Sequence, residues 1–95
     1  MNQQQQLWQS IAGALLAKYF GVMLCDTDLC EKERVISLHT AGVRPFEAVN
    51  ELVDKYQLER LDANPFRPCL PHLNAVNELI ASAEAGINLV FIRHL

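Results

Sequence analysis

The sequence predicts a mainly α fold of the broad α+β kind: about four amphipathic helices around one core, with a minor short-strand element. Three observations predict it. Apolar residues recur at spacings of three and four in four separate windows, the period of one helix face. Glycine and proline punctuate those windows at Gly21, at Gly42 to Pro45, through residues 62–71 and at Gly86. The tail from Ile87 to Leu95 is rich in large and β-branched apolar side chains, which suit a strand.

Ninety-five residues make a single domain, 1–95. A chain of this size buries roughly 60–65% of the surface that its unfolded form exposes, so its core has little to spare. The net charge of −3 argues against a surface that coats nucleic acid. It leaves room for a ribonuclease with its basic groups confined to one cleft. No positively charged leader and no run of about 20 apolar residues is present, so a cytoplasmic protein is expected.

The elements follow in order. Residues 1–6 are polar and read as a frayed end, or as a solvated first turn through Gln3 to Gln6. Leu7, Ile11, Leu15 and Tyr19, flanked by Trp8, Ala12, Leu16 and Phe20, give a broad apolar face and a helix over about 4–20. Gly13 lets a neighbour approach and Gly21 stops the helix. Trp8 reads as a core residue rather than a partner anchor. Val22 to Cys25 is a short strand or an extended crossing. Asp28 and Glu31 have the spacing of a capping box, so a second helix is expected from about Leu29 to Ala41, with Val35, Ile36 and His39 on its inner face.

Pro45 suits the first turn of a third helix, and its ring keeps Arg44 extended. That helix runs from about Pro45 to Tyr56 with Phe46, Val49, Leu52, Val53 and Tyr56 as its stripe. Leu58 and Leu61 turn inward beyond it, on a short strand or an irregular turn. The stretch from Glu33 to Asp62 thus joins two helices at a Gly-Val-Arg-Pro corner and organises the chain. Residues 62–71 are a loop. Pro71 is expected to open a fourth helix whose face is Leu73, Val76, Leu79 or Ile80, and Ala83, with Gly86 closing it. The hexapeptide Ala48-Val49-Asn50-Glu51-Leu52-Val53 is echoed by Ala75-Val76-Asn77-Glu78-Leu79-Ile80, which reads as two helices sharing one amphipathic pattern. Leu89 to Ile92 is expected to pair within the chain or to form a homodimer through this C-terminal strand.

Little in the sequence carries chemistry. The three cysteines Cys25, Cys30 and Cys69 leave an odd thiol and complete no zinc site, so they read as reduced, mostly packed thiols. Asp26 and Asp28 fit helix capping better than a metal site, since the regular spacing of a calcium loop is absent. No phosphate loop, metalloprotease motif or nucleophile elbow occurs, and no cofactor is implied. An endoribonuclease would draw on His39 and Arg44, with His94 as a third group, but no spacing ties these together.

From about Leu7 to Leu89 the chain resembles the CbtA/YeeV-like toxins of type IV toxin–antitoxin systems. Tyr19 to Thr27, Glu33-Arg34-Val35-Ile36, His39, Ala41-Gly42-Val43, Ala48-Val49-Asn50, Leu52-Val53-Asp54-Lys55-Tyr56, Leu58, Arg60 and Asp62 carry the likeness. The resemblance implies a small bacterial toxin that is not an enzyme. Such a toxin binds the cytoskeletal proteins FtsZ and MreB, hinders their polymerisation, and so blocks cell division and alters cell shape. Its antitoxin need not touch it. Partner contact is expected through outward residues of the organising stretch: Arg34, Arg44, Glu47, Asn50, Glu51 and Arg60. A modest interface would suffice to compete with a weak subunit contact. The readings set against this are an RNA-cleaving toxin and a pure interaction module such as an antitoxin.

Overall fold

The computed structural model describes residues 2–61, 72–84 and 86, and four α-helices lie among them. These are α1 (Gln3–Phe20), α2 (Lys32–Thr40), α3 (Pro45–Tyr56) and α4 (Ala75–Glu84). The hub is α1, against which the other three pack. Trp8, Ile11, Ala12, Leu15, Leu16, Tyr19 and Phe20 are its buried residues. At 100° per residue they cover about half of the helix circumference, which is why one helix can meet three others. Each large apolar side chain buried here contributes roughly 1.5–3 kcal/mol.

Of the two options for Gln3 to Gln6, the structure takes the solvated first turn. Asn2 Oδ1 accepts from the Gln5 N–H at 2.8 Å, and Gln5 Oε1 accepts from the Asn2 N–H at 3.0 Å. This reciprocal pair satisfies two donors that would otherwise be orphans. Gly21 closes the helix in the left-handed region, at φ 66°. A side chain there would be strained and would press on Leu61, whose Cδ1 lies 3.2 Å from an ideal Cβ position.

Val22 to Cys25 forms no strand. Two 3-10 turns follow Met23, at Leu24–Asp26 and Asp28–Cys30. Thr27 accounts for them. Its hydroxyl donates to the Leu24 carbonyl at 2.8 Å and accepts from the Leu29 N–H at 3.2 Å. Thr27 is therefore the capping residue, not Asp28, and α2 begins at Lys32 rather than at Leu29. Leu29 is buried, and the Gln9 side-chain amide donates to its carbonyl at 2.9 Å. In α2 the buried residues are Val35 and Leu38, while Ile36 and His39 are half-buried.

Pro45 opens α3 as expected, and Ala48, Val49, Leu52 and Val53 are buried. Phe46 is half-buried, and Tyr56 leaves the stripe, with Lys55 Nζ 5.3 Å from its ring centroid. After Gln57 the chain turns irregularly and forms no strand. Leu58 packs on the core, but Leu61 stays exposed, held by its N–H bond to the Tyr19 carbonyl at 2.8 Å. Trp8 is buried, and its indole N–H donates to the Val43 carbonyl at 2.8 Å. It is a core residue that ties α1 to the α2–α3 corner.

No strand occurs among the described residues. The expected strand Leu89–Ile92, the dimer contact through it, Pro71, Cys69 and His94 lie outside the described residues. Cys25 and Cys30 are exposed free thiols, not packed ones.

Candidate partner-binding surface

A polar seam fixes α4 on α3. Phe46, Asn50 and Asp54 recur every four residues along one edge of α3. The segment 72–78 runs past that edge in the opposite sense. Asp54 Oδ1 meets His72 Nε2 at 2.7 Å. The Asn50 amide clasps the Leu73 backbone twice, donating to its carbonyl at 2.9 Å and accepting from its N–H at 2.7 Å. Glu78 Oε1 accepts from the Phe46 N–H at 3.1 Å, and its Oε2 meets Arg44 Nη2 at 2.7 Å. The Phe46 N–H belongs to the first turn of α3, so the carboxylate of Glu78 lies where the helix dipole favours an anion. Replacing Asn50 by alanine removes both bonds to Leu73. The expected cost is about 1–3 kcal/mol, at about 0.5–1.5 kcal/mol for each bond. Faster amide hydrogen exchange at Leu73 and in α4, with α1 unchanged, is the measurement that checks it.

The six expected contact residues fall into two clusters and two single placements. Arg34 lies between Asp28, at 3.4 Å, and Glu51, at 3.7 Å, joining α2 to α3 on an exposed face. Arg44 and Glu47 sit together at the start of α3, where Glu47 Oε1 accepts from the Arg44 N–H at 3.0 Å. Asn50 is committed to Leu73. Arg60 lies against α1, its guanidinium 4.8 Å from the Tyr19 ring centroid. No hydrogen bond or ion pair joins His39 to Arg44 among the described residues. Among them also, no group of three or more metal-ligating side chains is close enough to hold an ion.

The fourth helix departs most from expectation. Its cap is Asn74, whose Oδ1 accepts from the N–H groups of Val76 and Asn77 at 2.9 and 3.1 Å. Its buried residues are Glu78, Ala81 and Ser82. Val76, Leu79 and Ile80, expected to face the core, are 62%, 54% and 42% exposed, and Ala83 is exposed beside them. Of the expected face only Leu73, just before the helix, is buried. In this orientation Glu78 is anchored at the start of α3. The small residues Ala81 and Ser82 then let α4 approach α1 closely. Ala81 shares a shallow groove with Ala14 and Ala17, bounded by the Lys18–Glu84 ion pair. The result is an apolar stripe at i, i+3, i+4 and i+7 that faces away from the core.

A family model described as the CbtA toxin of type IV toxin–antitoxin systems matches residues 6–79. Two curated relatives from Escherichia coli match as well. They are the "Cytoskeleton-binding toxin CbtA" of strain K12 and the "Toxin CbtA" of the uropathogenic O6:H1 strain CFT073. Each is 36% identical over 85 residues, covering 86% of this chain and 68% of the relative. The chain belongs to the CbtA toxin family. It is accordingly a toxin of the type IV toxin–antitoxin class. The CbtA match runs from Gln6 in α1 through α2, α3 and the polar seam to Leu79 in the α4 stripe. No solved structure matches the chain significantly. None of the helices among the described residues is long and apolar enough to cross a membrane.

Proposed function

We propose that this CbtA-family toxin stops growth by binding, in the cytoplasm, a filament-forming cytoskeletal protein and occluding its assembly surface. FtsZ and MreB are the expected targets, the action is not enzymatic, and the antitoxin opposes it without contacting this chain. The observation that carries the reading is the exposed α4 stripe Val76, Leu79 and Ile80. Adjacent large apolar side chains that a small domain leaves uncovered are typical of a protein-docking surface. The name of the K12 relative supplies the class of partner. The Arg34–Glu51 face is the second candidate contact and would form a polar counterpart to the stripe.

Leu79→Asp tests this directly. The side chain is on the surface, so the fold is expected to survive with a stability change within about 0.5 kcal/mol. Growth arrest, altered cell shape and capture of purified FtsZ or MreB are all expected to be lost. If Leu79→Asp stays toxic while Arg34→Glu does not, the contact lies on the α2–α3 face. If His39→Ala alone abolishes toxicity in a folded protein, and translation falls while cell shape is normal, the RNA-cleaving reading replaces this one.

A further inference from the structure

We propose that Cys25 and Cys30 are an oxidisable dithiol that closes to an intrachain disulfide. The two thiols lie in consecutive 3-10 turns, on either side of the Thr27 bend. Both are exposed and free. The bend folds the chain back, so that Cys30 Sγ lies 3.8 Å from the carbonyl oxygen of Cys25. Of the first turn only Leu24 packs on the core, whereas Cys25 is exposed, so its side chain is free to change rotamer towards Cys30. That freedom matters because a disulfide demands a narrow range of Cα separation and dihedral angle. The ring that closes would span Asp26 to Leu29 and include Asp28, the partner of Arg34. The dithiol would therefore set the rigidity of one edge of the Arg34–Glu51 face according to redox state.

The oxidant is a peroxide. One thiolate attacks a peroxide oxygen, the O–O bond breaks, and a sulfenic acid and hydroxide form. The second thiolate then attacks the sulfenic sulfur, forming the S–S bond and expelling hydroxide. The two thiol protons and two hydroxides leave as two waters. The pair of sulfurs loses two electrons and the peroxide gains them. A dithiol such as dithiothreitol reverses the change by exchange.

The test uses the full chain, reduced, freed of reductant and treated with hydrogen peroxide. Trypsin releases Tyr19 to Lys32 as one peptide holding both cysteines and no other. The expected result is loss of two hydrogens from that peptide, and loss of iodoacetamide labelling at both cysteines until dithiothreitol restores it. Cys25→Ser and Cys30→Ser should each abolish the two-hydrogen loss; both sites are exposed, and an unchanged circular dichroism spectrum confirms the fold. Independent oxygen adducts on the two sulfurs, a bond between chains, or full labelling of both after peroxide would each overturn the proposal.

Discussion

Trp8→Ala is expected to remove about 3–5 kcal/mol of stability, the usual cost of deleting a large buried aromatic side chain. Small domains have about 5–15 kcal/mol in all, so the variant should be near the edge of folding at growth temperature. Two losses combine. The ring leaves a void between α1 and the α2–α3 corner, and the Val43 carbonyl loses the indole N–H that it accepts at 2.8 Å. Trp8→Phe separates them. It keeps most of the apolar contact and gives up the hydrogen bond, worth about 0.5–1.5 kcal/mol. Urea unfolding followed by far-ultraviolet circular dichroism measures both variants. Trp8→Phe should still arrest growth at matched protein abundance. A Trp8→Ala protein that unfolds at the wild-type urea concentration yet fails to arrest growth would instead make Trp8 a partner anchor.

The paired hexapeptides show how much of this fold was legible. In α3 the pattern Ala48-Val49-Asn50-Glu51-Leu52-Val53 reads correctly: its alanine, valines and leucine are buried and Glu51 is exposed. In α4 the echo Ala75 to Ile80 has the opposite orientation, with its apolar residues outside and Glu78 inside. Periodicity identifies the face that an isolated helix would bury. It carries nothing about an unsatisfied N–H on another helix, such as the Phe46 N–H that Glu78 meets on its inward side. The same limit explains Asn50, which reads as an outward residue but clasps Leu73, across a sequence separation that no local pattern spans. The helix count, the Pro45 start, the Gly21 stop and the core role of Trp8 were legible because each depends on neighbours in the chain or on bulk alone. The hub role of α1 was less so, since half a circumference of apolar residues states that a helix is buried but not by how many others.

Glu78→Leu sets the two orientations of α4 against each other. By pattern alone the substitution should help, since it puts a leucine at a buried position of an apolar helix. The structure predicts a loss of about 2–3 kcal/mol, since a part-buried bond to a charged group is removed and its donor is left without a partner. Little of that comes from Arg44. Its side chain is more than half exposed, and water replaces the lost carboxylate at small cost. The main cost arises at the Phe46 N–H, which would face a hydrocarbon in the first turn of α3, where the helix dipole also favours the anion. Glu78→Gln keeps an acceptor within reach of that N–H and gives up only charge, so its cost should be about 1 kcal/mol. Thermal unfolding ranks the three proteins, and the order wild type, Gln, Leu is expected. The α4 stripe gives a second readout. If Glu78 is what turns Val76 and Leu79 outward, Glu78→Leu should weaken growth arrest more than Glu78→Gln at equal folded concentration. A leucine variant as stable as wild type would mean that α4 is set by its contacts with α1 through Ala81 and Ser82, and that the carboxylate follows rather than leads.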